Sequence, residues 1–375
     1  MGNPIADLVR ISRELGQDIR LTQGNGGNTS TKTDDGKYMY VKTAGIQLKD
    51  MTAGTGWRKL DLDLVRAIFT DKTFAALDEL ESERRMPKYL EGCCVDGAEL
   101  SAAPSSETPL HAVLPKYAAH LHPLALTPYI CSKNGKEALE GLLGGETSPP
   151  LWIPYALGGY SVGKKIWWHV ASYERRHGKP PWGLFLQNHG LVVTAENPRD
   201  LLKRVHSVIE KCRQNLKWPR IKQKPVPAER IQETRDNIER ALGKVTEDQA
   251  VAGYLDDPMV TSLAAMDDAQ ELAEIPALLP VEIAYGGPAV WLNDGKYETI
   301  RAALERQPSR KRRVPCAFLV KDMGLFVAGA REDIPDIGEV TKVALLSRKW
   351  VARFGGADPL TKRYRDIIEA LCGFR

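Results

Sequence analysis

Apolar positions near the start of the chain recur at the spacing of an α-helix. Ile5, Leu8, Val9 and Leu15 share one face, which predicts a short amphipathic helix over residues 4–15. The same reading of apolar and polar positions predicts further elements: a strand at 38–43, a helix at 60–69, a helix that begins near Pro109, a strand at Ala118–Leu121 and a helix from about Pro123.

Two apolar runs flank a histidine between Trp182 and Thr194. Gly-Leu-Phe-Leu precedes His189 and Gly-Leu-Val-Val follows it, which predicts two strand pieces joined by a tight turn. The next stretch, from Pro198 to Cys212, is predicted to be a long helix that is N-capped at Asn197 and has proline in its first turn.

A second copy of this pattern appears later in the chain. Phe318–Val327 repeats the order strand, Gly-Leu, strand of Phe185–Val193, with Met323 in the place of His189. The pattern is compatible with a repeated strand-turn-strand unit that lacks the histidine, and equally with chance similarity of short apolar strands.

Length and local composition predict how the chain is divided. Its 375 residues, 43% of them hydrophobic, are enough for two domains or for one enlarged α/β domain. The stretch Trp218–Pro227 is basic, rich in proline and poor in apolar runs, as linkers are. We therefore expect a first domain at 1–217, a linker at 218–230 and a C-terminal α/β region at 231–375.

Charge, cysteines and hydropathy exclude several classes of protein. The 52 basic and 48 acidic residues nearly balance, with a net charge of +4, which argues against a dedicated nucleic-acid or membrane-surface binder. None of the six cysteines forms a Cys-x-x-Cys pair, so reduced thiols and a cytoplasmic location are expected. No secretory signal and no apolar run of the ~18 residues that a membrane span needs are visible.

The histidines at 120, 122 and 189 are the strongest candidates for chemistry. On a strand, residues i and i+2 point to the same face, so His120 and His122 can reach one ion, and His189 can supply a third nitrogen. Three imidazoles and one carboxylate suit a catalytic zinc that keeps one coordination position open. The alternative is that each is an ordinary, partly buried histidine.

Glu107 is the carboxylate that stands nearest to His120 and His122 in sequence. It follows Ser105 and Ser106 at the start of a predicted helix, where the helix dipole stabilises negative charge, so it can be a simple helix-start residue. The functional interpretation is a general base beside the metal.

Three polar segments offer groups that could bind an anion. These are the serine pair before Glu107, the glycine-rich loop Gly24–Ser30 with Asn28, and the turn Thr43-Ala44-Gly45. Together they could cradle a phosphate, although each alone is more often only a turn. Gly158–Lys165 resembles a P-loop but has no Ser or Thr after its lysine, so we do not interpret it as a nucleotide site.

Taken together, these motifs resemble the class II aldolase/adducin family. The matching segments are Gly26–Ser30, Thr43–Gly45, Ser105–Glu107, His120–His122 and Asn188–Leu191, which occur in the family's order over roughly the first 210 residues. Glu107–Pro115 and the tail around Phe318–Val327 resemble the aldolase module that is fused to a short-chain dehydrogenase in rhamnulose-1-phosphate aldolase/dehydrogenase proteins. No dehydrogenase is present in this chain.

The resemblance implies a role for each matching residue. His120, His122 and His189 match the zinc ligands, with another divalent metal possible, and Glu107 matches the catalytic acid/base. The positions that match the substrate phosphate site are Asn28, Thr43, Gly45, Ser105 and Ser106. The implied fold is a three-layer α/β/α sandwich with a mainly antiparallel central sheet, here followed by a C-terminal α/β extension, usually assembled as a homo-oligomer.

The activity implied is retro-aldol cleavage of a ketose, as a ketose 1-phosphate, through a metal-stabilised enediolate. The same kind of site can run a sugar-phosphate 4-epimerase or a decarboxylase. A non-catalytic, adducin-like scaffold is the alternative outside the enzyme class, since a fold alone does not fix function.

Overall fold

The computed structural model describes residues 3–97, 102–145, 148–216, 225–243, 250–306 and 316–373. The chain divides into two compact units. Unit 1 holds residues 1–130 and 135–216, and unit 2 holds residues 131–134 and 217–375. Of the linker predicted at 218–230, residues 218–224 lie outside the described residues.

Unit 1 is built on a seven-stranded, mainly antiparallel sheet. Its strands are β1 (Asn28–Lys32), β2 (Tyr38–Lys42), β3 (Trp57–Asp61), β4 (Tyr117–Leu121), β5 (Leu151–Ile153), β6 (Gly183–Leu186) and β7 (Gly190–Ala195). They lie in the order β3-β2-β1-β4-β7-β6-β5, and the pair β5–β6 is parallel. The strand β4, which carries His120, is therefore the central one.

Among the described residues of unit 1, nine α-helices connect and cover these strands. They are α1 (Pro4–Gly16), α2 (Leu62–Ala67), α3 (Lys72–Ala75), α4 (Glu79–Gly92), α5 (Thr108–Ala112), α6 (Thr127–Ile130), α7 (Gly135–Leu143), α8 (Tyr160–His177) and α9 (Pro198–Gln214). In the part of the chain that the structure describes, no helix combines the length and the apolar character that crossing a bilayer requires.

Neighbouring side chains of β1 show that helices cover both faces of the sheet. Thr29 Oγ1 lies 2.6 Å from Ser12 Oγ of α1, whereas Ser30 Oγ lies 2.8 Å from His111 Nδ1 of α5. Successive residues of a strand point to opposite faces, so α1 and α5 lie on opposite sides. This confirms the three-layer α/β/α sandwich.

Each side of the sheet has its own apolar packing. On the side of α5, residues from β4, β6 and β7 pack against α8, for example Ala118, Leu184 and Val192 against Ile166. On the side of α1, the residues Leu8, Ile11 and Leu15 of that amphipathic helix are fully buried.

Most predicted elements of unit 1 are confirmed, and three predictions are wrong in detail. The predicted helix at 4–15 is α1, and α9 is capped by Asn197, whose side chain accepts from the Asp200 N–H. Residues 60–61 belong to β3, because Asp61 caps α2 and the helix begins only after it. Residues 123–126 form a turn, and α6 starts at Thr127.

The third correction concerns the glycine-rich segment Gly24–Ser30. It is a loop only as far as Gly27, and residues 28–30 belong to strand β1. The strand pairs with both β2 and β4, so backbone hydrogen bonding outweighs the low strand propensity of asparagine and serine.

Unit 2 contains a four-stranded sheet in the order β8-β11-β10-β9. Its strands are β8 (Val251–Leu255), β9 (Val290–Leu292), β10 (Ala317–Val320) and β11 (Gly324–Gly329). Its helices are α10 (Ala228–Leu242), α11 (Pro258–Ala264), α12 (Ala269–Glu274), α13 (Pro280–Ala284), α14 (Tyr297–Glu305), α15 (Ile334–Trp350) and α16 (Lys362–Leu371).

The pairing of strands in unit 2 has the same pattern as part of unit 1. β9 is parallel to β10, β10 is antiparallel to β11, and β11 is antiparallel to β8. In unit 1 the same directions join β5 to β6, β6 to β7 and β7 to β4. The turns between β6 and β7 and between β10 and β11 hold Asn188 (φ 51°) and Asp322 (φ 57°), the two described non-glycine residues with positive φ.

Candidate metal centre

The three candidate histidines lie on the central strand, directly after its end, and on the turn that precedes its neighbour. His120 of β4 pairs with Asn28 of β1 on one side and with Val192 of β7 on the other. His122 follows the end of β4, and its N–H donates to the Leu21 carbonyl at 2.9 Å. His189 sits in the tight turn between β6 and β7, next to Asn188 in its left-handed conformation.

The three imidazoles converge on one point. One ligand atom from each of His120, His122 and His189 lies within 4.8 Å of the others, and all three residues are buried. The Nε2 atoms of His120 and His122 are 3.1 Å apart. Nitrogens bound to one zinc at about 2.0–2.1 Å each have a comparable separation, so the spacing fits a shared metal ion.

Two glycines allow the rings to come this close. A Cβ on Gly190 would lie 2.4 Å from the Leu121 carbonyl oxygen and 2.8 Å from Cε1 of His120. A Cβ on Gly26 would lie 2.8 Å from Nδ1 of His122. Both positions leave no room for a side chain, so these glycines belong to the construction of the site.

Glu107 completes the cluster. Its Oε1 is 2.8 Å from Nε2 of His189 and its Oε2 is 3.5 Å from Nε2 of His120. Burial alone raises the pKa of Glu107, but the imidazoles of His120 and His189 outweigh it and hold that pKa well below its ordinary value. The group is therefore a carboxylate at neutral pH, and it faces the convergence point.

The protonation of the histidines suits metal binding. Burial lowers the pKa of His120 to about 4 and that of His122 well below its ordinary value, so both rings are neutral at neutral pH. His120 Nδ1 lies 3.2 Å from the Leu191 carbonyl and donates to it, which leaves the Nε2 lone pair for a metal. Neutral imidazoles beside a carboxylate are the donor set of a zinc site.

Two of the predicted anion-binding residues touch the cluster directly. The side-chain amide of Asn28 donates to Glu107 Oε2 at 2.6 Å and to Ser105 Oγ at 3.3 Å. Thr43 forms an isolated bridge with Pro104, which places the turn at 43–45 beside the serine pair. Gly45 and Ser106 are exposed, and Gly45 has a φ of +75°.

Three further residues around the site were missed in the sequence. His111 contacts Asn28 and Ser30. The Lys42 Nζ donates to the carbonyls of Asn25 and Thr43 at 3.3 and 3.2 Å, and burial lowers its pKa to about 8. The one available signal was that His111 follows Glu107 by four residues, one helical turn.

The third missed residue is Glu83, on α4. Its carboxylate accepts from the N–H groups of Tyr160 and Ser161 at 3.0 and 2.8 Å, so it caps the start of α8. Burial raises the pKa of Glu83 to about 7. The P-loop-like run Gly158–Lys165 is the beginning of this helix, with Gly159 at its N-cap.

The fold and the donor set define an α/β sandwich protein with a candidate three-histidine metal site at the centre of its sheet. A family model described as the Class II Aldolase and Adducin N-terminal domain matches residues 6–216. The chain belongs to this class II aldolase/adducin family.

Individual relatives are more distant. The uncharacterized oxidoreductase YuxG of Bacillus subtilis (strain 168) is 28% identical over 300 residues, which cover 75% of this chain and 41% of that protein. The chain thus spans less than half the length of this relative. The specific resemblance to the aldolase module of the dehydrogenase fusions stays a prediction.

Several solved structures are similar to this chain at low identity. The N-terminal class II aldolase domain of a conserved protein from Thermoplasma acidophilum is 24% identical with a TM-score of 0.47, covering 57% of this chain and 94% of that one. A sugar-phosphate aldolase from Thermotoga maritima is 12% identical with a TM-score of 0.40, covering 56% of this chain and 92% of that one.

Proposed function

We propose that this protein is a zinc-dependent aldolase that cleaves a ketose, in particular a ketose 1-phosphate, between two carbon atoms by a retro-aldol reaction. The observation that carries the proposal is the convergence of three buried imidazoles and the Glu107 carboxylate on one point. A non-catalytic scaffold has no need of buried histidines arranged in this way.

A divalent cation at this point would supply Lewis acidity, which polarises the oxygens of a hydroxy-ketone substrate. His120, His122 and His189 are the residues that would hold it. The Leu191 carbonyl fixes the orientation of the His120 ring, because it accepts from Nδ1.

Glu107 would move the proton that the reaction requires. As a carboxylate within 2.8 Å of His189, it can take up a proton and deliver it to the carbon that cleavage leaves behind, or remove that proton in the direction of condensation. The amide of Asn28 donates to its Oε2, which fixes the direction in which the carboxylate points.

The remaining candidates would hold the phosphate end of the substrate. Ser105 and Ser106 stand directly before Glu107, and Thr43 and Gly45 lie on the neighbouring turn, with Asn28 between them and the cluster. Lys42 donates to backbone carbonyls of both the 23–27 loop and this turn, which ties the two segments together. Binding energy at this end would orient the reacting carbons.

The first test separates metal binding from proton transfer. In Glu107→Gln we expect zinc content near that of the unchanged protein but at least a hundredfold lower aldehyde release from a panel of ketose 1-phosphates, because the proton acceptor is lost. In His122→Ala both metal and activity should be lost. Elemental analysis and a coupled aldehyde assay measure the two quantities.

The exposed His206 provides the matched control, since His206→Ala should retain both metal and turnover. Full activity of Glu107→Gln would refute its assignment as the acid/base. Formation of a product epimer or of carbon dioxide in place of an aldehyde would assign the site to an epimerase or a decarboxylase. Absence of metal after reconstitution would refute the aldolase proposal and would favour the alternative, a non-catalytic scaffold.

A further inference from the structure

A row of buried polar side chains lies between strand β1 and helix α5, behind the candidate metal centre. Asn28, Ser30 and Lys32 alternate along β1 and therefore share one face. All three contact His111 of α5, which is fully buried. His111 lies outside the proposed catalytic and binding residues, so its contacts need an explanation of their own.

The carboxylate of Glu107 decides the direction of the hydrogen bonds in this row. A carboxylate can only accept, so the Asn28 group 2.6 Å from Glu107 Oε2 must be its NH₂. The amide oxygen of Asn28 then faces His111 Nε2 and accepts from it. His111 must therefore carry its proton on Nε2, and its Nδ1 accepts from the Ser30 hydroxyl at 2.8 Å.

The surroundings of His111 permit only one proton on the ring. Burial is the largest cause that lowers the pKa of His111, to about 3. The Lys32 Nζ donates to the His111 carbonyl at 2.7 Å and to the Pro115 carbonyl at 3.0 Å, which holds this amine beside the helix, and burial lowers the pKa of Lys32 to about 7. A neutral imidazole has one donor and one acceptor, and both are used here.

We propose that His111 is a positioning residue, whose Nε2–H fixes the amide of Asn28 so that its NH₂ group points at Glu107. Without that donor the side-chain amide of Asn28 can rotate so that its NH₂ group and its oxygen exchange places. The oxygen would then face the Glu107 carboxylate and repel it. The proposal deepens the proposed function and rests on it for its effect on turnover. The arrangement of protons can be measured independently.

Two substitutions of His111 distinguish the role of its Nε2 atom from that of its Nδ1 atom. Glutamine places an amide N–H near the position of Nε2, whereas asparagine reaches only the position of Nδ1. We expect His111→Gln to retain kcat within about fivefold. In His111→Asn, kcat should fall by about a hundredfold, as misplaced catalytic groups do, with metal content and KM little changed. Urea unfolding of both variants reports any common loss of stability.

A purely structural role would lower kcat equally in both variants, in step with their stability, and this result would overturn the proposal. The proton assignment is tested without turnover, by ¹⁵N NMR of the metal-loaded protein labelled in its histidines, with the His111 signal identified by its loss in His111→Gln. We expect the Nε2–H tautomer. The Nδ1–H tautomer or a protonated ring at neutral pH would overturn the proposal even if the protein is an active aldolase. The Nε2–H tautomer in a protein without aldolase activity would refute the proposed function alone.

Discussion

At the scale of single residues, the site depends on glycines, which leave room for the histidine rings, as much as on the histidines themselves. Gly190 is the clearest case, because a Cβ there would overlap the Leu121 carbonyl and the His120 ring. The backbone around residue 190 cannot easily move away from these groups, because it belongs to β7 and pairs with β6. The ring of His120 would have to move instead.

We therefore predict that Gly190→Ala weakens zinc affinity at least tenfold, because a displaced ligand no longer reaches the shared point. Gly54→Ala is the matched control, since its Cβ would meet nothing within 4 Å. Competition with a chromophoric chelator measures the affinity of each variant. Unchanged affinity in Gly190→Ala would show that the rings are not confined as described.

The sequence singled out the three histidines, Glu107 and Asn28, which the structure brings together, because two of the histidines have the i, i+2 spacing of a strand and the others stand in recognisable motifs. It did not reveal Lys42, Glu83 or the role of His111. Apart from Thr43, which follows Lys42 directly, their partners lie far away along the chain, as in the pairs Lys42–Asn25 and His111–Asn28. Such contacts depend on strand order, which local patterns do not specify.

At the scale of elements, tight turns between paired strands place functional residues. The turn before β7 presents His189, and the turn before β11 presents Met323, each after a residue with φ near +50 to +60°. Asparagine and aspartate adopt this left-handed conformation more readily than other non-glycine residues. Asp322 is exposed, so its side chain can be changed with little effect on packing.

We predict that Asp322→Ala lowers the free energy of unfolding by about 1 kcal/mol, whereas Asp322→Gly leaves it unchanged or raises it slightly. The reason is the steric cost of a Cβ at positive φ without a side chain that bonds locally. Urea unfolding followed by tryptophan fluorescence measures both. Equal stability of the alanine and glycine variants would contradict the explanation.

Elements with a clear pattern of apolar positions were predicted well, as α1, β4 and α9 show. Elements whose residues have weak propensities were missed. β1 reads Asn-Thr-Ser-Thr-Lys and is a strand because it lies between two others. Tertiary pairing decided its conformation, and this also explains why the strand that carries Asn28 was predicted to be a loop.

At the scale of the whole molecule, the strand directions and turns of unit 2 match those of β4 to β7. We propose that unit 2 contains a second copy of this half of the sandwich without the metal site. In the matching register, Tyr254 takes the place of His120, since it pairs with Phe326 as His120 pairs with Val192. The Tyr254 hydroxyl donates to the Met323 carbonyl at 2.9 Å, so the copy has side-chain packing where unit 1 has ligands.

Metal removal should therefore destabilise the strands of unit 1 and leave those of the second copy, in unit 2, unchanged. On chelation we predict faster amide hydrogen exchange in β4 and β7, because binding to the folded state stabilises it by about 2.7 kcal/mol at a hundredfold excess over Kd. Peptides from β8 and β11 should be unaffected. Mass spectrometry of the exchanged protein compares all four strands in one sample. An equal effect in β8 and β11 would contradict the assignment of the ligands to unit 1.

The central place of β4 also has a consequence for how the protein is made. His120 joins the sheet through partners that are far away along the chain, Asn28 on one side and Val192 on the other. During synthesis the edge of β1 that pairs with β4 stays unpaired until β4 has been made. The other edge of β4 stays unpaired until β7 has been made. A metal ion that meets the nascent chain early finds Glu107 and only two of the three imidazoles, His120 and His122. The three histidines are all available only after His189 has left the ribosome, so we expect stable metal binding only once the strands of unit 1 have been made.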